Sequence, residues 1–451
     1  MLDRAKVRVV IVGGGMAGLS AAQHLYANGF KNVTLVEARD RLGGRIQTQI
    51  IGGKDLVEMG ANWILGACAA NPAFVLAKQN NIQLGRITEL TGRWVVEDLW
   101  IKPDGTVIGA NIVQRAMEEF RQILGQVSEK TKSLRVNPVG FIKVSFTLAI
   151  QDMSGADQRD ALCIMRSMVN FLQVYDGGYL ERSRGKGEPF NPLPGGAMCL
   201  PDGMQFLLDS LTKDLPSDSV QLNSQVVSID WSDPECRVTC EGGRTHEADH
   251  VIISLPVGVL KQHRKKLFIP HLPAKKAEAI NTVPMGKLNK IFLRWEKPFW
   301  EPGMGAIQLC WSDDDAEPLD WWRRIPSFLE VGPNVLLAMV SGEQAEHLES
   351  FCDQEILEKC SFLIRQFLRN PSIASPDQIL VSRWCSDPYS RGSFIYQGTN
   401  VTEEILEELG SPLEEHRVLF AGEATVPWAY GKMHAARASG LREAERIIGL
   451  Y

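Results

Sequence analysis

The sequence predicts an α/β fold, α+β overall: a parallel-sheet domain assembled from separated stretches of chain, with a mixed-sheet and helical domain inserted between them. Three observations carry this. Residues 7–12 (VRVVIV) form the kind of run found in strands buried on both faces, and glycines follow at once. Buried runs return in the middle, at Val251–Leu255, and near the end, at Arg417–Ala421. Between them lie alternating strands and helices with charged faces.

Taken in order, Met16, Leu19, Ala22 and Leu25 recur at helical spacing up to Asn28, and Val33–Val36 is a second buried strand. This is one βαβ unit, right-handed by the crossover rule. Residues 111–176 carry helical patterns, including Gln114–Leu124 and Asp160–Tyr175, while Gly177-Gly178 and Arg184–Gly196 read as loop. After Pro201 come a helix over Met204–Leu215 and strands over Val220–Trp231 and Arg237–Glu241, with Pro256 closing the Val251–Leu255 run. Further strands are expected at Lys290–Trp295, Val335–Val340 and Ile379–Trp384, with a helix over Gln354–Leu368. A final helix spans His434–Gly449. The resulting division assigns 1–90, 200–260 and 411–451 to the parallel-sheet domain, and 91–199 and 261–410 to the inserted one.

The bulk numbers exclude several classes. A chain of 451 residues, 44% hydrophobic and 23% charged, can bury a large core. Its 48 Lys plus Arg against 54 Asp plus Glu leave a net charge of −6, with no electrostatic footprint for nucleic acid. Apolar stretches fall short of the roughly 20 residues a membrane span needs. The nine cysteines have no paired CxxC spacing and read as reduced thiols rather than disulfides or metal ligands, and no metal is expected. Val7 follows without the profile of a secretory signal, so the cytoplasm is the expected compartment. The Asn32 and Asn400 triplets match a glycosylation pattern that arises often by chance, and Gly449-Leu450-Tyr451 is no clear peroxisomal address.

Chemistry enters with Gly13, Gly15 and Gly18, a GxGxxG at the strand-to-helix junction. The first glycine permits the tight turn, the second lets backbone approach a pyrophosphate, and the third lets helix pack on strand. The helix N-terminus then faces the phosphates. Glu37, at the end of the second strand, stands where a carboxylate accepts hydrogen bonds from an adenosine ribose. With strand, helix and acid in register, this is a discontinuous Rossmann-like dinucleotide-binding domain.

The continuation Glu37-Ala38-Arg39-Asp40-Arg41-Leu42-Gly43-Gly44-Arg45 separates a flavin from a nicotinamide site, since two more glycines let backbone fold over the cofactor and Arg45 can neutralise a pyrophosphate. Here the chain resembles the flavin amine oxidase family, and the likeness extends over essentially its whole length. Further matches are Glu58-Met59-Gly60-Ala61-Asn62-Trp63-Ile64, similar to the segment beside the isoalloxazine, and Ala248–Leu260, similar to a strand and loop before the second substrate-domain piece. Gly422-Glu423-Ala424-Thr425 with Met433-His434 and Ser439-Gly440 is similar to the terminal motif that holds the ribityl chain and pyrimidine edge. The resemblance implies FAD, held non-covalently, and adds Val227 and Trp384 to its contacts. A helix N-terminus near Met433 would offer amides to the flavin C2 carbonyl.

Lys290 lies inside an apolar strand, where an unpaired ammonium is costly, so it should bond a water, a backbone group or the cofactor. The resemblance implies a water that reaches flavin N5 and a part in flavin reoxidation. Polyamine oxidases are the nearest subgroup by Asn289–Leu293, Lys297–Trp300 and Ser386–Ser393, which makes Phe394 an aromatic wall, with core packing as its rival reading. Two departures bear on substrate: Leu65 replaces a polar residue at the channel mouth, and Lys432 replaces a tyrosine, with Trp428 or Tyr430 as substitute walls. A cation at Lys432 repels a protonated amine and can bind a carboxylate. Asp176 could hold a distal ammonium, or be a solvated loop acid. The expected reaction converts an amine, foremost a polyamine or its acetylated derivative, to an imine while O₂ becomes hydrogen peroxide. A carboxylate-bearing amine oxidase and a flavin-binding protein without turnover are the alternatives. The expected partners are a small-molecule amine and O₂, with no nucleic acid and no membrane span, and the expected state is a monomer or weak homodimer.

Overall fold

A computed structural model describes residues 3–87, 98–134, 136–175, 177–182, 193–312, 320–396, 398–414 and 416–451. Asp176 lies outside the described residues.

The parallel sheet has the order Val418–Phe420, His250–Ile253, Arg8–Val12, Asn32–Val36, Val220–Gln221. Its central strand, Arg8–Val12, is buried from Val9 onward, which is why its residues are apolar without alternation. The first helix, Met16–Ala27, and the last, Met433–Ile448, pack on one side of this sheet. Their approach is so close that a Cβ on Gly440 would stand 2.1 Å from the Ala17 carbonyl oxygen. Residues more than 400 positions apart thus build one wall.

The strand expected over Val220–Trp231 divides in two. Val220–Gln221 pairs with Leu35–Val36 in the parallel sheet, whereas Val226–Asp230 begins an antiparallel layer with Cys236–Cys240 and Thr245–Ala248. Asn223 adopts φ 51°, and the amides of Asn223 and Ser224 donate to the carbonyls of Arg39 and Glu37 at 2.8 Å each. The break therefore serves the loop after the second strand. A second departure follows Ile253: Pro256 caps a helix over Val257–Leu267 where a loop was expected, burying Val257, Val259, Leu260 and Leu267.

The inserted region is built on a sheet ordered Gln378–Val381, Leu288–Arg294, Val335–Ser341, Ser327–Gly332, Ala306–Leu309, Leu99–Ile101, antiparallel except at the last pair. Side chains alternate across it. Ile291 and Leu293 face the helix Asp353–Phe367, while Phe292 joins the core formed with the helices Ala110–Leu124 and Gly155–Tyr175. Lys290 shares the face of Phe292 by the two-residue period and stands where that core gives way to a cavity. Among the described residues no helix is long and apolar enough to cross a membrane and no His/Cys/Asp/Glu group could hold a metal, and all nine cysteines are free.

Candidate active site

A cavity of about 560 Å³ runs from the first parallel strands to the face of the inserted sheet. At one end backbone defines it. Gly13 turns with φ +111°, and a Cβ on Gly18 would lie 2.0 Å from the Gly13 carbonyl oxygen, so both positions require glycine for packing. At Gly15 and Gly422 the reverse holds: a Cβ on Gly15 would meet only the Gly43 oxygen, at 3.9 Å, and one on Gly422 nothing within 4 Å. Those positions leave space that side chains would fill. The first helix begins here without a side-chain cap, so its free N–H groups face the cavity. Glu37 is buried beside them, accepting from the amides of Gly14 at 2.7 Å and Arg39 at 2.8 Å, with lone pairs left for a ribose hydroxyl.

The walls converge through ion pairs. The Arg39 guanidinium grips both carboxylate oxygens of Asp387, at 2.8 and 2.7 Å, and lies over the Tyr389 ring. That pair holds Asp387 below the usual carboxylate range against the opposing effect of burial. Arg45 donates to Glu423 at 2.9 Å and to the Ser393 carbonyl at 2.8 Å, and Glu423 accepts in turn from the Gly431 amide. The segment Asp387–Ser393 is thereby strapped across the cavity by two arginines of the loop after the second strand. Both arginines line the cavity, and both spend guanidinium nitrogens on protein partners.

At the other end side chains define the site. Lys290 is 4% exposed, and its ammonium donates to the Glu58 carbonyl at 2.8 Å, the Gly60 carbonyl at 2.6 Å and Asn62 Oδ1 at 3.0 Å. Three acceptors match three N–H bonds, so a water on the charged amine has to displace one of them. Burial brings this lysine down to about 7. Burial likewise raises Glu58, whose Oε1 accepts from Thr48 and Met204 while Oε2 is buried without a partner. Trp63 lies beside the Lys290 ammonium, and Trp384 donates its indole N–H to the Met59 carbonyl at 3.0 Å. Lys432 caps the last helix and sets its ammonium over the Phe394 ring, 5.5 Å from the centroid. Burial, with the neighbouring Lys432 charge, pushes His434 down to about 4, so its imidazole is neutral at ordinary pH.

The cavity gathers Gly13, Gly15, Glu37, Ala38, Arg39, Gly44, Arg45, Gly60, Ala61, Asn62, Trp63, Leu65, Val227, Lys290, Trp384, Phe394, Gly422, Glu423, Lys432 and Met433. Gly18 lies behind it, in packing. Tyr430 is not among the lining residues; it packs against the core of Val251, Ile395 and Phe420. The reason is Gly431, whose φ of +74° turns the chain so that Lys432 rather than Tyr430 meets the cavity. Trp428 is 59% exposed and is not among the lining residues, though it stacks on His434, which is. Missed by sequence reasoning were the Ser224–Val226 turn, the Tyr389–Arg391 strap, His263 and Lys266, and the apolar Phe171, Val174, Leu288 and Met339. Helical and strand periodicity marked Phe171, Val174 and Met339 as core; Tyr389–Arg391 fall inside the Ser386–Ser393 match without a role assigned to them, and nothing local marked the others.

Residues 16–448 match the family described as flavin containing amine oxidoreductase. The chain belongs to this family. It is 32% identical to the peroxisomal N(1)-acetyl-spermine/spermidine oxidase of Homo sapiens over 98% of this chain and 95% of that protein. It is 31% identical to protein anon-37Cs of Drosophila melanogaster, covering 99% and 92%, and 27% identical to the probable polyamine oxidase 5 of Arabidopsis thaliana, covering 99% of each. The protein is an FAD-dependent amine oxidase. The cavity fits that cofactor: glycines leave room at Gly15 and Gly422, and uncapped helix N–H groups suit a pyrophosphate.

Proposed function

We propose that the amine oxidase acts on a polyamine or an acetylated polyamine and passes the electrons to O₂, giving hydrogen peroxide. The observation that carries the reading is the match to the N(1)-acetyl-spermine/spermidine oxidase along nearly all of both chains. When bound, FAD supplies the acceptor for hydride from the carbon bearing the amine and delivers the electrons to O₂. The chain's residues do the rest. Glu37 receives the adenosine ribose, and the first helix with Gly15 and Gly44 receives the pyrophosphate. Gly422, Glu423 and the amide of Met433 receive the flavin's polar edge. Trp63, Leu65, Phe171, Met339 and Phe394 offer apolar surface that keeps water from the reacting carbon. Lys290, poised near neutrality, changes from three N–H donors to two and a lone pair when it sheds its proton, and can then accept from a water at the reacting end.

The test is turnover of spermine, spermidine, their acetylated forms and L-amino acids with peroxide as readout. Activity confined to polyamines supports the reading, and activity confined to amino acids removes it. The second reading, a carboxylate-bearing amine, is favoured by Lys432, whose ammonium lies over the aromatic face that would otherwise greet a substrate cation.

A further inference from the structure

We propose that Glu349, outside the cavity, is a positioning residue that sets Lys290 and Trp384 against the flavin. It follows the short helix Glu343–Leu348, whose C-terminal end disfavours a negative charge, and no ion pair to it forms among the described residues. Its carboxylate is instead satisfied by N–H groups. Oε1 accepts from Asn289 Nδ2 at 2.7 Å and the Cys385 amide at 2.8 Å, and Oε2 accepts from the Ser386 amide at 2.7 Å. Half-buried, with Arg383 donating to its backbone carbonyl at 3.0 Å but no cation paired with its carboxylate among the described residues, it is placed for these donors and not for helix stability.

The donors lead straight to the site. Asn289 is fully buried, and its Oδ1 accepts from the Trp384 amide at 3.1 Å and the Ser382 hydroxyl at 3.2 Å. Its amide nitrogen also donates to the Ala345 carbonyl, so the carboxamide is fixed in one orientation by groups on both sides. The Ser382 hydroxyl oxygen accepts the Lys290 amide at 2.8 Å. One carboxylate therefore holds the residue before Lys290 and the two after Trp384, and Asn289 ties them together. Trp384 completes the circuit from the cavity side through its bond to Met59, next to the Glu58 and Gly60 carbonyls that Lys290 grips. None of Glu349, Asn289 or Ser382 lines the cavity, whereas Lys290 and Trp384 both do. Removing the carboxylate leaves buried donors unpaired and frees the Trp384 backbone to shift by fractions of an ångström, enough to spoil alignment at a reacting centre.

The test uses the FAD-loaded enzyme with E349A, E349Q and E349D, reading the visible flavin band and flavin fluorescence without substrate, then kcat, KM and the thermal midpoint. The spectral readings do not depend on which amine is the substrate. E349A is expected to alter the band and raise fluorescence as Trp384 loosens, and to lower kcat by roughly tenfold with little change in KM. E349Q, which keeps one accepting oxygen, is expected to recover part of both. A lowered thermal midpoint with wild-type spectrum and kcat would overturn the proposal, because that is the mark of a merely structural residue. If E349A fails to retain FAD, E349D decides: one methylene shorter, it cannot reach both amides, and an unchanged spectrum and kcat in that variant sinks the idea.

Discussion

The two ends of the cavity are built on different principles. Around Gly13–Glu37 the surface is mostly backbone, and the sequence constraint is steric: a Cβ at Gly18 would sit 2.0 Å from a carbonyl oxygen. Around Lys290 and Lys432 the surface is side chain, drawn from the segments 59–65, 288–290, 384–394 and 431–434. The first end can hold only a group that fits a fixed peptide mould. The second is set by individual side chains, so it is the end at which single substitutions should change the amine accepted.

The sharpest way to break this contrast is at its rigid end. Gly18→Val should abolish FAD binding and cost about 3 kcal/mol or more of stability, because the clash is with backbone that cannot rotate away. Flavin absorbance after purification and a thermal melt check it; a yellow protein of normal stability would mean the mould is softer than the geometry shows. At the other end, Lys290→Met leaves the Glu58 and Gly60 carbonyls and Asn62 Oδ1 without their donor, yet should spare the cofactor mould. Reoxidation in stopped flow should slow by roughly tenfold or more. In the wild type the rate should fall as pH rises through about 7, because the proton lost there removes a positive charge that favours electron transfer to O₂, and the variant's profile should be flat across that range. A wild-type profile in Lys290→Met would assign the titration elsewhere.

Between these lies the strap. Arg39→Ala removes a bidentate pair and a ring contact and should loosen FAD by roughly tenfold, read as release of fluorescent flavin on dilution, while kcat at saturating FAD changes little. Unchanged retention would make Arg39–Asp387 a surface ornament of the fold. Smallest is Lys432→Tyr, expected to raise kcat/KM for spermine by on the order of two- to fivefold and to lower it for carboxylate-bearing amines. The opposite order would reverse the charge argument.

What the sequence disclosed follows the same division. Val7–Val12, Gly13, Gly15, Gly18 and Glu37 were legible because each answers a local demand: burial on both faces, a forbidden Cβ, an acid at a strand end. Lys290 was legible because a lysine in an apolar strand needs a reason. Glu349 and Asn289 were not, since their meaning lies in partners up to 95 residues away and nothing in their own neighbourhood is unusual. The division of the strand Val220–Trp231 was hidden because Ser224 and Asn223 bond a loop near residue 37, a contact no local pattern encodes. Tyr430 was misplaced because a left-handed glycine after it reverses which neighbour faces inward, and a sequence shows the glycine but not the sign of its φ.

The parallel sheet has a temporal consequence. One outer strand, Val418–Phe420, and the helix that flanks the first helix, Met433–Ile448, belong to the end of the chain, while the phosphate-binding turn belongs to its beginning. During synthesis the turn emerges first and waits, with its glycines and uncapped amides in water, until some 400 further residues have been made. Until residues 418–448 join the sheet and the first helix, the cavity lacks the wall that Gly422, Glu423 and Met433 supply.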